Sequence, residues 1–162
     1  MNYTTDKARG MVRYVEPSST VIGSAPIYTK LVRMSAAEFL GAYASPVELV
    51  PPPGAGKFIQ CFGGSCIIHF NTTQSANGGA LKVQYGNAIH GAGDDAFTFR
   101  LAFDATAMNA VNQDWHEGLG GFGTNDILPP DNQGIYFSND TAAFTAFDGS
   151  FSFYLYYIVG NV

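Results

Sequence analysis

Hydrophobic and polar residues alternate with a period of two along several short stretches of the chain. Leu81, Val83 and Tyr85 occupy alternate positions in one of them. Residues 96–103 repeat the pattern, with an apolar residue at every second position and Arg100 between them. Because successive side chains of a strand point to opposite faces of a sheet, each stretch predicts a half-buried strand.

Glycine and proline separate these strands from several others. Residues 47–49 and 58–70 predict two further strands, and Gly63-Gly64 predicts a bend or bulge in the second. Asn77-Gly78-Gly79 favours the positive φ angles of a tight turn, so we expect a hairpin there. Residues 134–138 predict another strand near the end of the chain.

The last run of the chain, residues 151–159, has almost no polar face. A strand that is apolar on both sides belongs in the middle of a sandwich or against a partner subunit. Several short strands with these spacings are typical of two antiparallel sheets packed face to face. The predicted fold class is therefore all-β, an antiparallel β-sandwich that is jelly-roll-like, with one short N-terminal helix and an extended N-terminal arm.

A single helix is predicted near residue 35. Ser35 is followed three residues later by Glu38, the reciprocal capping pattern that satisfies free backbone amides at a helix start. Gly41 weakens the helix, and Ser45-Pro46 disfavours its continuation. We therefore expect a short helix within residues 35–43.

Two segments show no sustained periodicity. Residues 1–30 predict an extended arm that orders on a neighbouring surface, or else a partly disordered terminus, and residues 31–162 form the predicted sandwich domain. Residues 104–130 predict a long exposed excursion with a helical turn at 105–111. Within it, Trp115 is expected either to anchor a contact or to fold back over the open end of the sandwich.

The composition of the chain leads us to expect that it assembles with other subunits. Charged residues make up only 13% of the chain and aromatic residues 14%. Such a surface favours an oligomer, although a quiet surface rich in Asn, Thr and Ser is the alternative. The net charge of −5, with few cations after Lys57, argues against direct nucleic-acid binding, and no apolar run is long enough to span a membrane.

The candidate reactive groups do not form a recognisable catalytic or metal-binding motif. Cys61 and Cys66 have the wrong spacing for a zinc knuckle, and we expect two buried free thiols, with a local disulfide as the alternative. Gly54-Ala55-Gly56-Lys57 lacks the flanking residues of a phosphate-binding loop and predicts a structural corner. No metal site and no cofactor are predicted.

The histidines and the acidic pairs are equally isolated. His69, His90 and His116 lie far apart in the sequence, each alone in its segment. The acidic residues that stand near one another are expected to cap turns, with a surface ion site as the alternative; they are Asp94, Asp95, Asp114 and Glu117. The chain is accordingly expected not to be an enzyme.

Several corners and strands resemble those of small structural proteins of tailed-bacteriophage virions, a family of capsid cement (decoration) or fibre-type β-sandwich proteins. The resemblance covers about residues 35–162 and is carried by Pro46 to Pro51, Pro53 to Lys57, Ala80 to Gly86, Asn132 to Phe137 and Gly149 to Ile158. The Cys61 to Cys66 segment and the arm before Lys30 depart from the family pattern.

The resemblance implies a cement protein made in the host cytoplasm and located on the capsid exterior. It would form a homo-oligomer, with a trimer expected, and bind the major capsid protein or another virion protein, without nucleic acid or membrane as partner. The alternative is an adhesion module of a fibre or baseplate tip that binds host surface glycan. The expected partner-binding residues lie in the arm, the excursion and the terminal strand: Tyr3, Met11, Tyr14, Val15, Tyr28, Trp115, Phe151, Phe153 and Tyr157.

Overall fold

A computed structural model describes residues 2–6, 11–15, 26–97, 113–117 and 129–162. These residues form one helix, α1 (Ala36–Gly41), and ten strands. The strands are β1 (Asn2–Asp6), β2 (Met11–Val15), β3 (Tyr28–Ser35), β4 (Val47–Val50), β5 (Lys57–His69), β6 (Leu81–Tyr85), β7 (Asp95–Phe97), β8 (Gln113–Glu117), β9 (Ile135–Asn139) and β10 (Ser150–Asn161).

Eight of these strands form two antiparallel sheets, which confirms the predicted all-β sandwich. The first sheet has the order β3-β10-β5-β8 and the second has the order β4-β9-β6-β7. Pairs are nested along the chain, so that β3 pairs with β10, β4 with β9, β5 with β8 and β6 with β7. This nesting is compatible with the jelly-roll-like part of the prediction, which stays a prediction.

The hydrophobic core lies between the two sheets. Phe151, Phe153 and Leu155 of β10 are fully buried, as a strand in the middle of its sheet requires. Val83 and Phe137 are buried on the side of the second sheet that faces the first sheet. The sheets are also joined by a polar contact, because the Tyr85 hydroxyl donates a hydrogen bond across the sandwich to the Ile59 carbonyl at 3.0 Å.

Helix α1 packs against this core through Phe39, and its predicted capping pattern is confirmed. The Ser35 hydroxyl accepts a hydrogen bond from the Glu38 backbone N–H, and the Glu38 carboxylate accepts one from the Ser35 N–H. These bonds satisfy donors at the helix start. The bonds that the Ser35 N–H and the Ser35 hydroxyl donate to the Glu38 carboxylate lower the pKa of Glu38. Phe39 then enters the core, where its ring stacks on Phe144 and Phe151 with centroids 4.4 and 4.6 Å away.

A β-bulge at Phe62 interrupts strand β5, next to the predicted Gly63-Gly64 site. Tyr156 pairs with Gly63 and Tyr157 with Cys61, so Phe62 has no partner of its own on β10. Gly63 takes a φ of 139°, which favours glycine. The extra residue shifts the alternation, and as a result Cys61 and Cys66 both face the core despite their odd spacing.

The hairpin predicted at Asn77 is wrong, although the turn itself is present. Asn77, Gly78 and Gly79 have φ angles of 62°, 87° and 75°. However, the preceding strand β5 belongs to the first sheet and the following strand β6 to the second. The turn therefore lies in a crossing between sheets, where Ala76 bridges Thr145 instead of pairing across a hairpin.

The excursion predicted for residues 104–130 contains a strand. Residues 113–117 form β8, which pairs with β5 and places Trp115 opposite Cys66. The segment Gln-Asp-Trp-His-Glu has no apolar alternation, so its sequence did not predict a strand. The helical turn expected at 105–111 and residues 98–103 of the strand predicted at 96–103 lie outside the described residues.

Two segments of the predicted arm form a small sheet of their own. β1 and β2 pair in antiparallel fashion, with Tyr3 opposite Tyr14 and Asp6 opposite Met11. The strand β3 begins at Tyr28, slightly before residue 31. The division of the chain into an arm of residues 1–30 and a sandwich of residues 31–162 stays a prediction.

Candidate interaction surface

The outer face of the second sheet is covered by the chain's own loop of residues 86–93. Gln84 is buried and donates hydrogen bonds to the carbonyls of Gly86 and Ala88. Lys82 donates to the Gly91 carbonyl and forms an ion pair with Asp95 at 3.1 Å. Polar side chains on this face are therefore satisfied within the molecule.

The connection after helix α1 continues this cover. The buried Ser138 hydroxyl donates to the Ala42 carbonyl and accepts from the Gly91 N–H. The imidazole of His90 stacks on Tyr43 with ring centroids 4.2 Å apart. The loop and the helix connection therefore close over the second sheet, and on this cover Ile89 is the exposed large apolar side chain among the described residues.

The outer face of the first sheet is different, since an apolar patch lies open on it. Tyr154, Tyr156 and Ile158 alternate with the core residues of β10 and so point away from the core. Leu31 lies beside Tyr154 in the register, and the bulge places Phe62 in solvent nearby. We call this surface the outer patch, defined by Leu31, Phe62, Ile67, Tyr154, Tyr156 and Ile158.

The exposure of the outer patch is substantial for apolar side chains. Leu31 is 44% exposed, Tyr156 is 42% exposed and Phe62 is 37% exposed. Among the outward positions of β3, β5 and β10, Arg33 is the only one with a formal charge at neutral pH. A surface on which large apolar side chains are exposed among few charges is typical of a contact with another protein.

A glycine extends the apolar surface at the far end of β10. Phe58 lies beside Gly160 in the register. A Cβ added at Gly160 would overlap the Phe58 ring, so glycine lets that ring lie against the β10 backbone. The patch therefore continues from the bulge toward the end of the sheet.

Two of the predicted partner-binding residues are tyrosines at the start of β3 and the end of β10. Tyr28 is 43% exposed and stacks on the partly buried Tyr157, with ring centroids 5.4 Å apart. Burial raises the pKa of Tyr157. Ile27 beside them is 69% exposed. This pair remains available for a contact at the rim of the sandwich.

Two other predicted partner-binding residues are not on the surface. Phe151 and Phe153 have no exposed area and pack within the aromatic core around Phe39 and Phe137. A partner cannot touch them in this fold, so their assignment to a contact surface is corrected. The large side chains of β10 that point outward come after them in the strand and are Tyr154, Tyr156 and Ile158.

For the remaining predicted contact residues, the structure describes the position of the backbone only. Tyr3 pairs with Tyr14 and Val15 with Asn2 in the sheet formed by β1 and β2, which also contains Met11. Trp115 lies in β8, on the edge of the first sheet among the described strands. The structure thus does not join these residues with Tyr28 and Tyr157 into one site.

Sequence reasoning missed Leu31, Phe62 and Tyr156, which carry most of the open surface. The signal was present in β10, where Phe and Leu at 151, 153 and 155 alternate with Tyr at 154 and 156. Tyrosine combines an apolar ring with a hydroxyl that tolerates water, so it suits the outward positions. Phe62 could be assigned outward only once the bulge fixed the alternation of β5.

The two cysteines are free and buried, as predicted. Burial raises the pKa of Cys61 to about 11 and raises that of Cys66 as well. The Cys61 thiol lies 3.6 Å from the Gly63 carbonyl oxygen and 3.7 Å from that of Tyr156. These neutral thiols fill core space and are poor nucleophiles.

Two further polar segments have structural roles, the predicted corner at Gly54 to Lys57 and the loop at Asp148. The Gly54 to Lys57 segment forms the predicted corner, closed by a bond from the Lys57 N–H to the Gly54 carbonyl. Asp148 accepts hydrogen bonds from the backbone N–H groups of Thr72 and Thr73, and the Thr72 hydroxyl bond contributes most to lowering its pKa. Within the described ranges, no three His, Cys, Asp or Glu residues cluster in a way that could hold a metal ion.

Comparison with protein-family models, with curated proteins and with solved structures finds no match to this chain. The described part of the chain also contains no helix of the length and apolarity needed to cross a membrane. The functional argument therefore depends on the surface itself.

Proposed function

We propose that this chain is a non-enzymatic structural protein of an assembled particle, a capsid cement (decoration) protein whose outer patch packs on a shell subunit. The observation that carries the proposal is the difference between the two outer faces. One face is covered by the chain's own polar network, while the other leaves Leu31, Phe62 and Tyr156 open to solvent. Large uncovered apolar surfaces on one side of a fold favour a protein partner.

Burial of this surface would supply the binding free energy. Removing apolar surface from water contributes about 25 cal/mol per Å², so a contact of several hundred Å² contributes several kcal/mol before the costs of association. Tyrosines suit such a contact because their rings are large and have few rotatable bonds. Repeated docking of an oligomer on one lattice would then slow its dissociation.

The small number of charges around the outer patch also indicates what kind of surface the partner should have. Because Arg33 is the only formal charge at the outward positions of β3, β5 and β10, the matching surface should be apolar and nearly uncharged at its centre. A shell protein present in many symmetric copies offers such a surface repeatedly. A glycan would bind through polar groups. The polar side chains at outward positions beside the patch include Gln60, Ser65, His69 and Ser152, of which His69 and Ser152 are already hydrogen-bonded to each other.

Particle binding by variants of the outer patch tests the proposal. Leu31→Ser with Tyr156→Ser should reduce binding to purified particles stripped of this protein by at least about tenfold, because two exposed apolar side chains are lost. Ile89→Ser is the control, since Ile89 is 49% exposed but lies on the loop over the second sheet. Equal binding of the double variant and the wild type would contradict the assigned face.

The copy number of the chain in purified particles tests the role. A cement protein occurs in a fixed ratio to the major shell protein, and quantitative mass spectrometry measures that ratio. A few copies per particle, located at a fibre or baseplate tip, would contradict the cement role and favour the adhesion module.

A further inference from the structure

In the part of the first sheet that the structure describes, the two outermost strands carry opposite charges. Among the described strands, β3 forms one edge of this sheet and β8 forms the other. β3 contains Lys30 and Arg33, whereas β8 contains Asp114 and Glu117. An edge strand presents unpaired backbone N–H and C=O groups, and its charged residues select which strands can pair with it.

The cations and the anions have the same spacing and stand in the same rows of the sheet. Two rows of register partners each lead from a cation on β3 to an anion on β8: Lys30, Leu155, Gly64 and Glu117 form one row, and Arg33, Ser152, Ile67 and Asp114 form the other. A second copy added beside the sheet without any offset along the strands would therefore continue both rows.

We propose that copies of this chain associate by antiparallel pairing of the β3 edge of one copy with the β8 edge of the next, with Lys30 opposite Glu117 and Arg33 opposite Asp114. β3 and β8 already run in opposite directions, because each of the three successive pairings across the sheet is antiparallel. A copy in the same orientation thus presents β8 in the direction that an antiparallel ladder with β3 needs.

A single register satisfies both charge pairs. Lys30 and Arg33 are three residues apart, and so are Asp114 and Glu117. In the antiparallel register that sets Lys30 opposite Glu117, Arg33 falls opposite Asp114, and Val32 falls opposite Trp115. Opposite charges directly across an antiparallel pair stabilise it, and an aromatic residue opposite a β-branched residue adds to this.

Pairing of like edges is disfavoured by the same residues. Two β3 edges paired about the centre of Leu31-Val32 would set Lys30 opposite Arg33. Two β8 edges paired about Trp115-His116 would set Asp114 opposite Glu117. Like charges in these positions repel. The charge pattern therefore favours a head-to-tail interface, which forms a closed ring such as a trimer, or an open filament if the rotation does not close.

This inference rests on the proposed function only in treating the chain as a subunit of an assembly, and it is tested on the purified protein without any particle. Sedimentation velocity of the full chain is expected to show concentration-dependent species above the monomer. Reversing one edge, by Lys30→Glu with Arg33→Glu or by Asp114→Lys with Glu117→Lys, should weaken self-association by about tenfold or more.

Two matched controls separate the edge pairing from a general effect of charge. Asp94→Lys with Asp131→Lys changes net charge as much as the β8 reversal, at exposed residues outside β3 and β8, and should leave association unchanged. Circular dichroism of each variant shows whether the fold is retained. Added salt should weaken the wild-type association, because exposed charge pairs are screened.

Mixing the two single-edge variants, and combining their substitutions in one chain, tests whether association is restored. Each single-edge variant repels copies of itself. In a mixture of the two variants, the reversed β3 edge of one variant meets the reversed β8 edge of the other. The wild-type β3 edge of the second variant likewise meets the wild-type β8 edge of the first. The equimolar mixture should therefore associate by alternation of the two variants, in open chains or even-numbered rings of 1:1 composition even where the wild type closes an odd-numbered ring, and the chain that carries all four substitutions should associate by itself as the wild type does.

A monomeric wild type at about 100 μM, or association that survives either single-edge reversal, would overturn the proposed edge pairing. Association lost in both single-edge variants but restored neither by mixing nor by the fourfold substitution would also overturn it. None of these results bears on the particle-binding role of the outer patch. Conversely, rescue in the mixture would support the edge pairing even if no particle bound the protein.

Discussion

At the scale of single residues, similar side chains have opposite surroundings in this fold. Phe39 is fully buried and contacts the rings of Phe144, Phe147 and Phe151, whereas Phe62 is exposed at the bulge. The composition of the chain does not distinguish these two phenylalanines. Their positions relative to the sheets decide which one stabilises the fold and which one is available to a partner.

Substituting each of these phenylalanines by alanine tests that difference. Phe39→Ala should lower the free energy of unfolding by about 3–5 kcal/mol, because it leaves a cavity in the aromatic core. Phe62→Ala should lower it by no more than about 1 kcal/mol, since the ring is already partly in water. Urea denaturation followed by tyrosine and tryptophan fluorescence measures both, and equal losses would contradict the assignment.

The buried thiols predict how stability depends on alkaline pH. The pKa of Cys61 is raised from 9.0 to about 11 by burial, so the folded chain keeps a proton that the unfolded chain releases above pH 9. This contribution to stability is fully present below pH 9 and is lost as pH rises toward 11. Tyr85, whose pKa is raised to about 12, acts in the same direction.

The free energy of unfolding, measured by urea denaturation under reducing conditions from pH 8 upward, should therefore fall across this range. The double variant Cys61→Ala with Cys66→Ala is the control and should show a shallower fall. A decline of the same size in the double variant would show that the thiols are not its cause.

At the scale of elements, most strands follow from local sequence signals. β6, β9 and β10 lie where alternation or an apolar run predicts them, and Ser35 with Glu38 predicts the start of α1. β8 was missed because an edge strand needs no apolar alternation. The crossing at Asn77 was misassigned because a turn sequence specifies local backbone angles and not the sheet to which the next strand belongs.

The bulge is the element on which the outer patch depends most directly. Deleting Phe62 removes the unpaired residue, so Gly63 and Cys61 stay opposite Tyr156 and Tyr157, and Ile59 and Cys61 keep facing the core. The deletion should therefore lower the free energy of unfolding by no more than about 1 kcal/mol, as Phe62→Ala does. Deleting Gln60 instead keeps the bulge and turns Ile59 away from the core, and should lower the free energy of unfolding by about 2 kcal/mol or more. Urea denaturation measures both, and a Phe62 deletion that costs as much as the Gln60 deletion would contradict the assigned position of the bulge.

At the scale of the whole molecule, the two sheets differ in how their outer faces are covered. Loop 86–93 and the segment after α1 close over the second sheet, while the first sheet keeps an apolar face open between two charged edges. Sequence alone predicted a surface that needs partners, from its few charges. It could not place that surface, because choosing between the two faces of β10 requires the packing of both sheets.

The central claim is that the outer patch is covered by another protein subunit in the assembled state. A cryo-EM map of purified particles that contain this chain tests it most directly. The account predicts side chains of a neighbouring subunit in van der Waals contact with Leu31, Phe62 and Tyr156. A map in which these residues face solvent, while the covered face of the second sheet contacts the shell, would contradict it.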